Sequence, residues 1–276
     1  MHLARILFSQ GFGTRRECNG LIAAGRVSVD GKIQDDPLHE FEPDGLVFRV
    51  SGVDWPYREH ALIMLHKPAG YECSQKPRHH PSVYSLLPAP LRQRDVQAIG
   101  RLDEDTTGLL LLTDDGALIH RLTSPKRHVA KVYEVTCKHA VSESQVRQLR
   151  DGVTLHDETL NARPHAPRAN PPAARASVSG RPGDGGSQVR AAACEATGPS
   201  TLRLTLLEGK YHQVKRMIAA VGNRVEALHR SEFGALALPF DLPSGAWRWL
   251  DGPQAILREP ATDNAAHASL SRDPPP

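Results

Sequence analysis

Between Gly100 and Gly116 the chain reads GRLDEDTTGLLLLTDDG. Five carboxylates, Asp103, Glu104, Asp105, Asp114 and Asp115, flank the apolar run Leu109–Leu112. So much negative charge beside a segment suited to burial has three readings. The first is calcium: Asp103, Asp105, Thr107 and Gly108 fit the opening positions of an EF-hand loop. That match then fails, because Asp114 stands where the bidentate Glu belongs, leucines fill the second half, and Thr113–Gly116 reads as a turn. The second is plain turn chemistry, since Asp and Thr side chains in Asp105–Gly108 and Asp114–Gly116 bond nearby backbone N–H groups. The third is a carboxylate kept in a pocket as base or nucleophile. Taken alone, the motif leaves the second and third open.

Other chemistries have less support. The chain has no GxGxxG, P-loop, HExxH or GxSxG. Its 14 His show no metal-ligand spacing, and His79-His80 before Pro81 reads as loop. Cys18, Cys73, Cys137 and Cys194 are far apart without a CxxC, which argues against a disulfide framework or zinc site and fits a reducing cytoplasm. The apolar run in MHLARILFSQGFG is too short for a signal peptide, and no stretch has the length to span a bilayer, so a soluble intracellular protein is expected.

A length of 276 residues bounds the chain to one large or two ordinary domains, and 39% hydrophobic content allows a core. Net charge is only +3, so local clustering must decide whether nucleic acid is a partner. Arg15, Arg16 and Arg26 gather around one short segment and form a solvated face or a phosphate-contacting patch. Gly116–Tyr133 carries Arg121, Lys126, Arg127 and Lys131 with no acid. Glu208–Arg230 carries Lys210, Lys215, Arg216, Arg224 and Arg230 against Glu208 and Glu226. Two such segments in one domain fit a phosphate-tracking groove.

The elements that must position these groups are legible in part. Thr14 and Glu17 form a capping box for a helix carrying Cys18, Leu21 and Ile22 on one face, with Gly25 at its end. Val27 and Val29 alternate as in a strand, and Asp30-Gly31 suits a hairpin turn. Ala61–Leu65 reads as a strand followed by a turn over His66–Gly70, and Val129–Thr136 as another strand. Ser142 with Gln145 starts a helix that Gly152 ends, and Thr201–Leu206 alternates. Val214, Met217, Ile218 and Val221 have helix spacing, with Gly222-Asn223 as the cap and Lys215 and Arg216 outside the stripe. Arg163–Ser200 has no Leu, Ile or aromatic residue and five Arg against Asp184 up to Arg190, so most of it is expected to be a disordered insertion. The tail 259–276 is expected to be disordered too.

Three stretches, GRLDEDTTGLLLLT, LHKPAGYECS (Leu65–Ser74) and EGKYHQVKRM (Glu208–Met217), together resemble the motifs of pseudouridine synthases in the RsuA-type branch. The first segment resembles a small RNA-binding domain shared with a small-subunit ribosomal protein. The resemblance implies an α+β fold: residues 1–58 an RNA-binding domain, and residues 59–258 a catalytic domain with a mixed, largely antiparallel sheet and flanking helices, interrupted by 163–200. It implies an RNA isomerase that turns a uridine into pseudouridine with no cofactor or metal, and the match of Glu208–Arg230 points to 16S ribosomal RNA as partner, with a monomeric enzyme. By the same resemblance Asp103 is the essential aspartate, Tyr133 of Lys-x-Tyr lies against the target base, Lys215 pairs with the aspartate, and Arg101 helps hold the extruded nucleotide. Lys131, Lys210 and Arg216, with Arg15, Arg16 and Arg26, are the expected RNA contacts. Glu104, Asp114 and Asp115 are expected to be peripheral.

Overall fold

A computed structural model of the chain describes residues 1–155 and 187–257. The helices are α1 (Leu3–Ser9), α2 (Arg15–Ala23), α3 (Ala89–Gln93), α4 (Gly116–Thr123), α5 (Glu143–Asp151), α6 (Gln213–Ala220) and α7 (Gln254–Leu257). The strands are β1 (Val27–Val29), β2 (Lys32–Ile33), β3 (Val47–Val50), β4 (Val53–Pro56), β5 (Leu62–Lys67), β6 (Gln97–Ala98), β7 (Thr107–Thr113), β8 (Lys131–Cys137), β9 (Val153–Leu155), β10 (Ser187–Val189), β11 (Ala193–Ala196), β12 (Thr201–Leu206), β13 (Val225–Phe233), β14 (Leu236–Ala237) and β15 (Trp247–Trp249).

The N-terminal unit packs α1 and α2 on an antiparallel sheet ordered β2-β1-β3-β4. Its local signals act as the sequence dictates. Thr14 Oγ1 accepts from Glu17 N while Glu17 Oε2 accepts from Thr14 N, satisfying two helix-end donors. Asp30 and Gly31 both take positive φ, as a type I′ hairpin between paired Val29 and Lys32 demands. Cys18, Ile22, Val27, Val29 and Phe48 are buried between helices and sheet.

The larger unit is built on a sheet ordered β11-β12-β8-β13-β7-β5-β15. All of its strand pairs are antiparallel except β13 with β7, so the sheet is mixed and largely antiparallel, with helices flanking it. Strand β7 lies near its middle. Leu110 and Leu112 belong to one apolar cluster and Leu109 and Leu111 to another, all four fully buried. The period of a strand sends alternate side chains to opposite faces, so a run of four leucines marks a strand covered on both sides.

Gly108 lets β13 approach β7. Its φ is +108°, and a Cβ there would stand 2.7 Å from Arg230 N, closer than a carbon can pack. The two units are joined by polar groups: Arg94 donates from Nε to Asp114 Oδ2 (2.7 Å) and from Nη1 to Gln10 Oε1 (2.7 Å), and Asp114 Oδ1 accepts from Ala61 N (2.8 Å). Asp114 is therefore a structural anchor rather than a peripheral charge. Asp115 caps α4 by accepting from Ala117 N and Leu118 N.

Two sequence expectations are corrected. Strand β5 runs on through His66 and Lys67, which pair with Leu109 and Gly108, so the turn starts only at Pro68. The interval 163–200 is not irregular throughout. Residues 163–186 lie outside the described residues, as does 259–276, but β10 pairs with β9 and β11 with β12. Val189 in the separate β9–β10 ribbon and Cys194 at the β11 edge of the large sheet, with Ala191 between them, are buried without a single large residue, because backbone pairing carries the ladders.

Candidate active site

Asp103 precedes β7 in a turn closed by Thr106 N donating to Asp103 O (3.2 Å). Behind the turn lies Lys67, whose side chain is fully buried. Its Nζ donates to Pro68 O (2.9 Å), Glu104 O (3.1 Å) and Thr106 O (2.8 Å). Burial pulls the Lys67 ammonium below the usual lysine range, while the charges of Asp105, Glu104 and Asp103 oppose that shift. A cation with no carboxylate in hydrogen-bond contact among the described residues thus grips three carbonyls around the acidic loop, and the leucine run of β7 follows that loop into the core.

Helix α6 brings the cation in front of the loop. Val214, Met217 and Ile218 face the core, which turns Lys215 outward to the loop. Lys215 Nζ lies 3.2 Å from Asp103 Oδ2 and 2.6 and 2.8 Å from the two oxygens of Asp105. Burial opposes the Lys215 charge, but the hydrogen bonds it donates to Asp105 and the charges of Asp103 and Asp105 outweigh it and hold the ammonium above its ordinary value. The expected Asp103–Lys215 pair is present, and Asp105 shares it. Asp105, read as a turn residue, is the closer of the two carboxylates.

His212, which carried no expected role, stands at the start of α6 with φ +48°. Its Nε2 is 3.2 Å from Asp103 Oδ1, and its ring stacks on Tyr211 at 3.8 Å between centroids. The Asp103 side chain is 22% exposed, so it faces both solvent and its two basic neighbours.

Asp103, His212 and Lys215 line a cavity of about 570 Å³ that also meets Arg101, Lys131, Tyr133, Lys210, Arg230 and Phe233. Tyr133 is on β8, 8% exposed, directly opposite Arg230 in the β8–β13 register. A register shift between Arg230 and Glu232 brings Phe233 opposite Lys131, so all four side chains line the same cavity. Burial, with the nearby Arg230 charge, lowers the Lys131 ammonium to about 8. Of the expected RNA contacts, Arg101, Lys131 and Lys210 border the cavity. Arg216 is on α6 but does not line it, and Arg15, Arg16 and Arg26 belong to the N-terminal unit, away from it. Arg230, seen in sequence only as one more positive charge, is 1% exposed.

Such an arrangement can place a carboxylate and a cation against a reacting carbon, with an aromatic face for a flat ring. Residues 61–220 match the family described as RNA pseudouridylate synthase, and residues 1–44 match the S4 domain. A Bacillus subtilis (strain 168) protein named as an uncharacterized RNA pseudouridine synthase, YtzG, is 35% identical over 266 residues, covering 94% of this chain and 99% of the relative. The ribosomal small subunit pseudouridine synthase A of Escherichia coli (strain K12) is 37% identical over 241 residues, covering 87% and 92%. A crystal structure of a pseudouridylate synthase aligns with a TM-score of 0.57 at 31% identity, covering 91% of this chain and 96% of that one.

Proposed function

The chain belongs to the RNA pseudouridylate synthase family, and from that premise we propose that it isomerises a uridine of 16S ribosomal RNA to pseudouridine, with Asp103 as the reacting carboxylate. The observation that carries the reading is the meeting of Asp103, Lys215 and Tyr133 at one cavity. The small-subunit substrate is supported by relatives named ribosomal small subunit pseudouridine synthase A.

In this reading the target nucleotide leaves its stack, since its C1′ is out of reach inside one. The base lies on Tyr133, which returns about 1–3 kcal/mol of lost stacking. An Asp103 oxygen then attacks C1′, or takes a proton from C2′, as the bond to N1 breaks. Either step needs an anionic oxygen, and Lys215 at 3.2 Å stabilises it. Asp105 fixes Lys215 from the other side. Arg101, Lys210 and Arg216 meet the phosphates around the extruded nucleotide, and Arg15, Arg16 and Arg26 of the 1–58 unit hold RNA further along. The unit from 59 to 258 carries the chemistry, and the work is done in the cytoplasm by a single copy.

The test is to incubate the purified protein with immature small-subunit RNA and map pseudouridine. One new pseudouridine in that RNA supports the proposal. Tight RNA binding with no product, and none from large-subunit RNA, would leave a binding factor on an enzyme's scaffold.

A further inference from the structure

Two cations withdrawn from the surface, Arg230 and Lys131, line the cavity without an anionic partner among the described residues. Arg230 is 1% exposed; its Nε donates to Leu109 O (2.8 Å), and its buried Nη2 has no partner. Lys131 Nζ donates to Val129 O (2.8 Å) and to nothing else among the described residues. The Phe233 ring lies 5.3 Å from each charge. Buried charges are normally paired or hydrogen-bonded, because desolvation otherwise costs several kcal/mol. Placing two like charges side by side adds repulsion. A fold that keeps both has a use for an anion that arrives from outside.

We infer that Lys131 and Arg230 stabilise the ring anion released when the glycosidic bond of the target uridine breaks. The inference rests on the synthase reading above. Its location favours the base over a phosphate. Arg230 is directly across from Tyr133 in the sheet, and Lys131 precedes Tyr133 by two residues on the same strand face. A pyrimidine lying against Tyr133 brings its carbonyl edge over this pair. Phosphates stay hydrated at the rim, where the exposed Arg101 and Lys210 stand.

The electron accounting gives the pair its task. The C1′–N1 bond breaks with its electron pair going to the ring, where the charge spreads from N1 onto both carbonyl oxygens. An Asp103 oxygen forms a bond to C1′, or in the elimination route accepts the C2′ proton. The ring leaves as an anion in both routes. C5 of that anion then bonds to C1′, the Asp103 oxygen or the C2′ proton returns to where it started, and the proton on C5 is exchanged for one on N1. The sum is an isomerisation. Fixed cations aimed at developing oxyanion charge lower the barrier to the first step, in which that charge develops.

The experiment compares single-turnover consumption of uridine RNA and 5-fluorouridine RNA by wild type, Lys131→Met and Arg230→Met, with RNA affinity and melting temperature measured in parallel. Fluorine at C5 withdraws electrons and stabilises the ring anion by itself. On uridine RNA each folded variant loses about 100-fold or more, the scale of one missing oxyanion donor, while on 5-fluorouridine RNA the loss is at least about tenfold smaller. RNA affinity stays unchanged. Should Arg230→Met fail to fold, Lys131→Met decides alone. Equal losses on the two substrates overturn the inference, as does a weakened RNA affinity with a shallower salt dependence, which marks a phosphate site. Wild type that consumes neither RNA sinks the synthase reading itself, a distinct outcome.

Discussion

Replacing Lys67 by Met tests whether a residue that meets no substrate sets the rate by holding the acidic loop. Met keeps the length and apolar stem, so the change deletes the ammonium alone. Gly70 N still reaches Glu104 O at 2.7 Å, leaving Pro68 O and Thr106 O as the carbonyls that lose the bond. An unsatisfied buried acceptor costs about 1–3 kcal/mol, which gives about 2–6 kcal/mol for the two. The ammonium's own desolvation, of several kcal/mol, disappears with it and offsets part of that loss. A net loss of about 3 kcal/mol corresponds to about 6–12 °C in melting temperature at this chain length. Glu104 and Thr106 belong to the turn that Asp103 begins, and a displacement of about 1 Å at a reacting group costs about 100-fold. Differential scanning calorimetry and single-turnover pseudouridine formation at 25 °C are the assays, with filter binding for RNA affinity. The expected result is a lower melting temperature, a rate about 100-fold down, and unchanged affinity. A full wild-type rate in the destabilised but folded variant would refute the idea that Lys67 positions Asp103.

Gly108→Ala forces a Cβ against the Arg230 backbone at φ +108°, and the melting temperature should fall by more than the roughly 1–2 kcal/mol equivalent of the conformation alone. An unchanged melting temperature would mean that β13 need not approach β7 so closely. The Lys131 ammonium loses its proton as pH rises through about 8, so the rate should decline above that pH in wild type and show no such decline in Lys131→Met. Arg230 on β13 is the charged group whose field acts on it, and Tyr133, Asp103, Glu104, Glu72, Cys73, Arg101, Lys210, Tyr211, His212 and Lys215 are the other charged and titratable groups of the same cavity. The sign for stability is opposite. Between about 8 and the ordinary 10.5 the folded chain binds fewer protons than the unfolded one, so the cost of burying this charge is present below pH 8 and relieved above it. RNA affinity should fall steeply and linearly on a log–log plot against salt, as phosphate contacts by Arg101, Lys210 and Arg216 require; a flat response would contradict the groove.

What was legible in the sequence was local or periodic. Thr14/Glu17 and Ser142/Gln145 act within one helical turn, and Asp30-Gly31 within one hairpin, so residue type alone declares them. Leu109–Leu112 announces burial on both faces because no half-exposed strand tolerates four leucines in a row. The resemblance of three motifs named Asp103, Tyr133 and Lys215 together from distant parts of the chain, and the three line one cavity. The rest depended on partners distant in sequence. Lys67 reads as a turn lysine until Glu104 and Thr106 fold over it. Arg230 reads as surface charge until Gly108 lets its strand press against β7. His212 gains meaning only when the start of α6 reaches Asp103. Strands β10 and β11 escaped notice because small residues carry no hydrophobic signal, though the backbone of β11 forms the edge of the large sheet and that of β10 pairs with β9 in a separate ribbon.

Both Asp103 and Asp105 touch Lys215, so the most direct measurement compares Asp103→Asn with Asp105→Asn for pseudouridine formation on small-subunit RNA, at matched RNA affinity. The account predicts no product from Asp103→Asn and a reduced but measurable rate from Asp105→Asn, which loses only a support of Lys215. Product from Asp103→Asn, or its complete loss in Asp105→Asn alone, would contradict it.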